Sequence, residues 1–524
     1  MVFLSKLDSR RAVSIRLFAF NAGISLVSRA LQITVLVWVN QYLLRRIEPE
    51  EYSLYPIMLS ILVLGEIVRQ AFAGGLARFI VEKDAIDDHE GVTRIVSSML
   101  PALILGTAFI ATAGFITTWQ LESVIKIDPA HIDDAQIMLG LLVVNLCLHL
   151  LTAPYTVGPY VRQNFLIHNL LDLGIETTKI CLIIAFLFGI GPNVLWLVVA
   201  TVIAEPLGII ARVILTKKMI PAIHFNRSLA SWEVAVELVK FGGWTATTGL
   251  TSIMQKTIPL FVLNQFSSAI NVAAYHLGRL PDVQFRRLAA SAAMPMQPAL
   301  VSLQSQQGEK VVQELYYRGG RYHLWICLLG IAPLMVFAPE IIDLYVGPKY
   351  NMVPGVILAS LMIYPFVWGS AMFYRITHAV GRVDQYYILQ LIIEALALVA
   401  FIAAVTQGFG AVGGVAAAGA VQIAMHVFLL WPVALRFVNG SWSRFFKECL
   451  FAGLLPLAAA TAACLTLKNY VVLDNWTTVG CGVLGAILVY GLVAFLLCLN
   501  EEDRELVEKI SPRLALIARK TSIV

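Results

Sequence analysis

Charged residues are scarce. They make up 14% of the 524 residues, against about 25% in an ordinary soluble domain. That deficit excludes a chain solvated over most of its surface. With 59% hydrophobic residues and a mean hydropathy of +0.78, lipid is the solvent for most of the length. The long apolar runs lack alternation of period two, which excludes a β-barrel. Backbone groups in lipid must then pair within helices. The seven cysteines (Cys147, Cys181, Cys327, Cys449, Cys464, Cys481 and Cys498) never form C-x-x-C; nearly all sit in apolar runs and read as small core hydrophobes. There is no Walker motif, so ATP is not the evident energy source. Gly408-Phe409-Gly410-Ala411-Val412-Gly413 matches G-x-G-x-x-G. It links two hydrophobic spans, whereas a nucleotide fingerprint follows a strand, so it reads as a tight turn with close helix packing. The acidic run Glu82–Asp88 reads as a solvated loop, and His89-Glu90 lacks the second histidine of a zinc helix. No cleavable signal peptide is evident. Neither a cofactor nor a nucleic-acid partner is called for.

What is present is a succession of apolar stretches, near 17–43, 53–77, 95–117, 135–156, 168–188, 194–215, 238–264, 270–300, 320–345, 353–378, 384–407, 411–435, 446–467 and 477–499. The expected fold class is all-α, a polytopic membrane protein of about 14 transmembrane helices. Placing the N-terminus in the cytoplasm puts about 24 Lys and Arg on the cytoplasmic side and about five on the other. That asymmetry supports an even span count, both termini in the cytoplasm and a multi-pass protein of the inner (plasma) membrane. The tail 500–524 is charged, with Leu506, Ile510, Leu514 and Ile517 on one side of a candidate amphipathic helix.

A weak internal repeat divides the chain. Phe20-Asn21-Ala22-Gly23 opens span one and Asn40-Gln41-Tyr42 closes it. Phe241-Gly242-Gly243 opens span seven and Asn264-Gln265-Phe266 closes it. The turn Phe188-Gly189-Ile190-Gly191 after span five matches Gly408-Phe409-Gly410 after span eleven. The offsets are all about 220 residues, and an even number of spans separates the copies. That is the parallel type of transporter repeat, with the substrate expected between the halves. The expected organisation is an N-terminal lobe at 1–220, a C-terminal lobe at 221–440, two further spans at 441–500 and a cytoplasmic tail at 501–524.

The first eighty residues resemble the start of the polysaccharide and lipid-linked oligosaccharide flippases of the MATE-like (multidrug/oligosaccharidyl-lipid/polysaccharide, MOP) superfamily. Asn21-x-Gly23, the Pro49-Glu50-Glu51-Tyr52-Ser53-Leu54-Tyr55 turn and Ala73-Gly74-Gly75-Leu76-Ala77-Arg78 carry the likeness, although Ser53 stands where the family often has Gly. The resemblance implies two six-helix lobes enclosing a V-shaped cavity plus two C-terminal helices. It also implies that helices one, two, seven and eight line that cavity.

An ionisable group at mid-bilayer costs about 2.5–3.5 kcal/mol on insertion scales, so it faces protein or water. Arg29 lies in span one, Glu66 and Arg69 in span two, Lys256 in span seven, and Arg279, Asp282 and Arg286 on one stripe of span eight. Arg375 and His378 lie near the cytoplasmic end of span ten, as phosphate guides or snorkelling side chains. The excess of cations suits a ligand with about two negative charges, such as a lipid pyrophosphate, which guanidinium binds in bidentate fashion. The candidate substrate-binding set is Arg29, Arg69, Lys256, Arg279, Arg286 and Arg375. Glu66, Asp282, Glu176 and Glu394 are candidate charge partners or coupling groups. The alternative for Glu66–Arg69 and Arg279–Asp282 is a structural ion pair, and for Glu394 a satisfied polar group between helices. Asp172, Glu176 and Lys179 recur at helical spacing in span five; His149, His276 and His426 have no ligand spacing and read as core or cavity-wall histidines.

The expectation is a flippase, not an enzyme. It would carry an undecaprenyl-pyrophosphate-linked oligosaccharide across the membrane by alternating access. Its partners would be that substrate, membrane lipids, a coupling ion or proton, and polysaccharide assembly proteins. The rivals are a lipid II flippase, a cation or drug antiporter, which would want an acidic cavity, and a membrane polymerase or ligase. The last would need a sizeable outer loop, and the outer loops here are under twenty residues.

Overall fold

The computed structural model describes residues 34–35, 37–73, 75–162, 164–293, 309–380, 383–500 and 503. Every regular element among them is helical. The chain packs as two units, Met1–Phe261 and Val262–Val524. The Asn21-x-Gly23 motif, Arg29 and the candidate tail helix fall outside the described residues.

In the first unit, α1 (Pro49–Ala73) starts on a proline that has no N–H to satisfy, with Glu50 and Glu51 in its first turn, where negative charge complements the helix dipole. A break at Gly75 leads to α2 (Leu76–Asp84). The turn that follows puts Asp87 at φ 56°, and Asp88 then caps α3 (His89–Trp119) by accepting the Gly91 N–H at 2.8 Å. The Asp88 carboxyl, outside the spans, is held below its ordinary range chiefly by that N–H and also by Lys83. α4 (Ile132–Thr152), α5 (Phe165–Gly189) and α6 (Leu195–Met219) follow. The N–H of Val194 at the start of α6 donates to Glu51 at 3.0 Å, which ties α6 to the first turn of α1.

α7 (Trp232–Ser252) lies against α1. At Gly242 an added Cβ would run into the Ala71 carbonyl, and at Gly249 it would meet Ile67 at 2.5 Å. Helices in lipid gain nothing from excluding water between them, so small residues that allow close van der Waals approach hold this pair. A π-helical turn, Ile253–Thr257, interrupts the helix before α8 (Ile258–Phe266). Thr257 there donates to the Ser60 carbonyl at 3.1 Å. The packing boundary therefore falls within α8, near the end of what the sequence reads as span seven. Packing and repeat measure different things, and α7 is joined to the first unit by glycine contacts that carry no periodic signal.

The second unit contains α9 (Ala269–Ala293), α10 (Glu309–Leu328), α11 (Ile331–Val336), α12 (Ala338–Val346), α13 (Val353–Leu361), α14 (Tyr364–Trp368), α15 (Ala371–Val380), α16 (Val383–Thr406) and α17 (Gly410–Met425). The turn between α16 and α17 has Gly408 at φ 89° and Gly410 at φ 62°, a backbone that glycine adopts without strain. Asn271 accepts the Ala411 N–H at 2.8 Å and so caps α17. The glycine motif is therefore a helix–helix turn, as its apolar context requires. α18 (Ala452–Tyr470) and α19 (Trp476–Leu497) pack on each other and on the α10–α11 region. Trp325 donates to the Ala452 carbonyl at 2.9 Å and accepts from Tyr490 at 3.3 Å through its own carbonyl. Beyond α19, Asp503 is buried against the fully buried Arg321 at 2.5 Å, with Tyr322 donating to the same carboxylate.

Among the described residues, eight helices are long and apolar enough to cross a membrane. A ninth is counted if the bent pair Val353–Trp368 and Ala371–His378, 48° apart, is one span. The count of fourteen rests on the sequence. Large apolar side chains point outward along these helices, for example Leu105, Phe109, Leu484 and Leu488. An aqueous exterior would penalise such a surface and a lipid exterior does not.

Candidate functional site

In the first unit, Glu66 and Arg69 lie one helical turn apart on α1 and pair in bidentate fashion, with Arg69 Nε donating to Glu66 at 2.6 Å. Both side chains are about one-third exposed. Arg69 is thus partly neutralised locally while one side stays open. Glu176 is engaged by Lys179 at 2.7 Å on α5. The neighbouring Asp172 pairs across to Arg212 of α6, and Glu205 meets His149 of α4 at 3.4 Å. Lys256 sits in the π-helical turn and is exposed. Such turns cost hydrogen-bond geometry and concentrate at functional positions.

In the second unit the charges are deeper. Asp282 is 1% exposed and clamped from both sides on α9, by Arg279 at 3.0 Å and Arg286 at 2.8 Å. The spacing of three and four residues puts all three on one face, as the sequence indicates. Tyr364 of α14 donates to the Asp282 carboxylate at 2.9 Å and to its backbone carbonyl at 3.1 Å. Two guanidiniums on one carboxylate leave an excess of one positive charge. Arg286 also lies 5.8 Å from the Trp368 ring centre. Glu394 on α16 is buried and accepts from Gln390 at 2.9 Å and from Gln422 of α17 at 3.2 Å. Arg375 on α15 is 9% exposed, and among the described residues no carboxylate pairs with it.

The structure thus gathers Arg279, Asp282 and Arg286 into one cluster and Glu66 with Arg69 into another; Glu176 and Glu394 stand in separate networks. Several members had no sequence signal. Tyr364, Trp368 and His323 are ordinary residues of apolar helices until the bend before α15 brings their elements together. Gln390 was readable, four residues before Glu394, but Gln422 comes from another helix.

The family described as "Polysaccharide biosynthesis protein" matches residues 42–354, more than half of the chain. The chain belongs to that family. This polysaccharide biosynthesis protein is also similar to the "Uncharacterized membrane protein EpsK" of Bacillus subtilis (strain 168), 18% identical over 501 residues that cover 94% of this chain and 97% of the relative. Its fold is that of MOP-superfamily transporters. It aligns with the lipid II flippase MurJ in an inward closed conformation at a TM-score of 0.70 and 13% identity, over 92% of this chain and 99% of the other. It aligns with an inward-facing MATE multidrug-resistance transporter at a TM-score of 0.63 and 14% identity, over 78% and 95%. The protein is therefore a multi-pass membrane protein with a flippase or transporter fold.

Proposed function

We propose that this polysaccharide biosynthesis protein is a flippase for an undecaprenyl-pyrophosphate-linked oligosaccharide or polysaccharide repeat unit. It moves its substrate across the inner membrane by alternating access of two six-helix lobes, 1–220 and 221–440. Spans thirteen and fourteen are accessory, and both termini are cytoplasmic. The observation that carries this reading is the Arg279–Asp282–Arg286 clamp, a cluster around a buried carboxylate with more cation than anion. The pyrophosphate is held by Arg69, Arg279 and Arg286, with Lys256 and, from the undescribed first span, Arg29; Arg375 guides it from the cytoplasmic end of span ten. Guanidinium suits this task because its planar fork matches phosphate oxygens and stays charged in a poorly hydrated site. The polyprenyl tail remains in the bilayer, so only the polar headgroup is desolvated. Glu176 and Glu394 are the carboxylates available for ion or proton coupling. The protein needs no catalytic group for this work, and polysaccharide assembly proteins supply and remove the substrate.

Translocation of a fluorescent lipid-linked oligosaccharide in proteoliposomes tests the reading. Arg69→Gln and Arg279→Gln, each checked for folding, are expected to lower the rate on the order of tenfold or more. Full activity in both folded variants would refute the site. Lipid II in the same assay distinguishes the second reading, which the likeness to the lipid II flippase fold favours. Efflux of a cationic dye would instead support the antiporter.

A further inference from the structure

The second unit holds a second group of hydrogen-bond donors that the clamp on Asp282 does not use. Trp368 on α14 has its indole Nε1–H buried and without an acceptor, and His323 on α10 has its Nε2 buried and without a partner. The two rings lie 5.1 Å apart, centre to centre. His323 is 2% exposed and Arg375 9% exposed. α15, which carries Arg375, packs on α10, which carries His323. The carboxylate of Asp282 is already engaged by Arg279, Arg286 and Tyr364.

Indole and guanidinium nitrogens donate and never accept, and the imidazole Nε2 donates in one of its tautomers. Arg375 has no carboxylate partner among the described residues, and a guanidinium in a poorly hydrated site favours an anion beside it. Donors gathered on three helices, one of them a fixed cation, have a natural complement: an acceptor-only group with negative charge. We infer that Arg375, Trp368 and His323 form an oxyanion subsite within the second unit, adjoining the Arg279–Asp282–Arg286 clamp, whose Arg286 lies 5.8 Å from the Trp368 ring centre. Its ligand is a phosphate or a carboxylate. Bidentate contact comes from Arg375, and the indole N–H of Trp368 adds a third, directional donor. On the flippase reading, on which this substrate assignment rests, the group is either a phosphate of the lipid headgroup or an acidic substituent on the sugar. A sugar hydroxyl would satisfy the indole but leave the guanidinium uncompensated.

The Trp368 indole resonance reports the site directly. The full chain, labelled with 15N-tryptophan in phospholipid nanodiscs and assigned with Trp368→Phe, is titrated with inorganic phosphate, methyl β-D-glucuronide and methyl β-D-glucoside. A saturable shift of the Trp368 signal is expected with at least one of the two anions and not with the neutral glucoside. Arg375→Gln weakens that response on the order of tenfold or more, and Arg375→Lys restores part of it. A response to phosphate alone identifies a headgroup contact; a response to glucuronide identifies an acidic sugar. Three results overturn the subsite: no response to either anion, an equal response to the glucoside, or an anion affinity in Arg375→Gln within about twofold of the parent chain. Should Arg375→Gln fail to fold, the anion–glucoside contrast in the parent chain and the Arg375→Lys titration decide. Translocation is not needed for this readout. Anion binding here together with undiminished transport in Arg69→Gln and Arg279→Gln would keep the subsite and reject the pyrophosphate assignment.

Discussion

The two units hold their charged clusters differently. In the first, Glu66 and Arg69 neutralise each other along one helix and stay about one-third exposed, while the helices α1 and α7 meet through glycine. In the second, the Asp282 carboxylate is 1% exposed and held by three partners, one of them from another helix. A pair made within one turn is a property of that turn and survives motion of the helix. A carboxylate shared between helices is a property of their packing and is lost when they part. The α1–α7 contact is therefore locked by shape, and the α9–α14 contact by a hydrogen bond from Tyr364 to a buried carboxylate.

The largest effect that tests this contrast is expected at Asp282. Asp282→Asn leaves two guanidiniums without their counter-ion and should destabilise the protein by about 3–5 kcal/mol, read as a large drop in the thermal unfolding midpoint of the purified chain. A drop no greater than that of Glu66→Gln would remove the distinction between the units. Gly242→Ala comes next. Its Cβ meets the Ala71 carbonyl, and overpacking of this kind costs about 1–3 kcal/mol. Gly243→Ala, whose Cβ meets nothing within 4 Å, should be neutral or slightly stabilising, since alanine is favoured over glycine in a helix by up to about 1 kcal/mol. Equal midpoints for these two variants would show that glycine contact does not lock α7 to α1.

Glu66→Gln should change stability by less than about 1 kcal/mol, because a partly solvated pair within one helix turn gains little; its effect belongs in transport rates instead. The smallest effect is at the Asp88 cap. Its folded pKa lies below the ordinary value of 3.8, so its contribution is present above that value and is lost as pH falls through the folded one. Asp88→Asn should flatten the acid limb of the unfolding-midpoint curve slightly. A steeper limb would mean that the carboxylate is not the stabilising form.

Much of this was legible in the sequence because its signals are local. Apolar runs of twenty residues announce spans, and three- and four-residue spacing places Arg279, Asp282 and Arg286 on one stripe. The Gly408–Gly413 motif reads as a turn from its apolar flanks alone. The rest depends on residues far apart in the chain. Tyr364 reaches Asp282 across 82 positions, and Gln422 reaches Glu394 across 28. The boundary after Phe261 follows from glycine contacts between α1 and α7 that no hydropathy pattern records.

The sequence by itself determined the solvent, the all-helical class and which charged residues share one helix face. Each of these follows from composition or from spacing within one helix turn, so no distant contact can change it. The tertiary structure decided which charges are neutralised and which keep hydrogen-bonding capacity. It added Tyr364 to the Asp282 clamp, satisfied Glu394 with two amides, and left the Trp368 indole N–H and the His323 Nε2 buried without partners. Burial and partnership are set by which helices meet, and that information lies in the packing of side chains from separate spans.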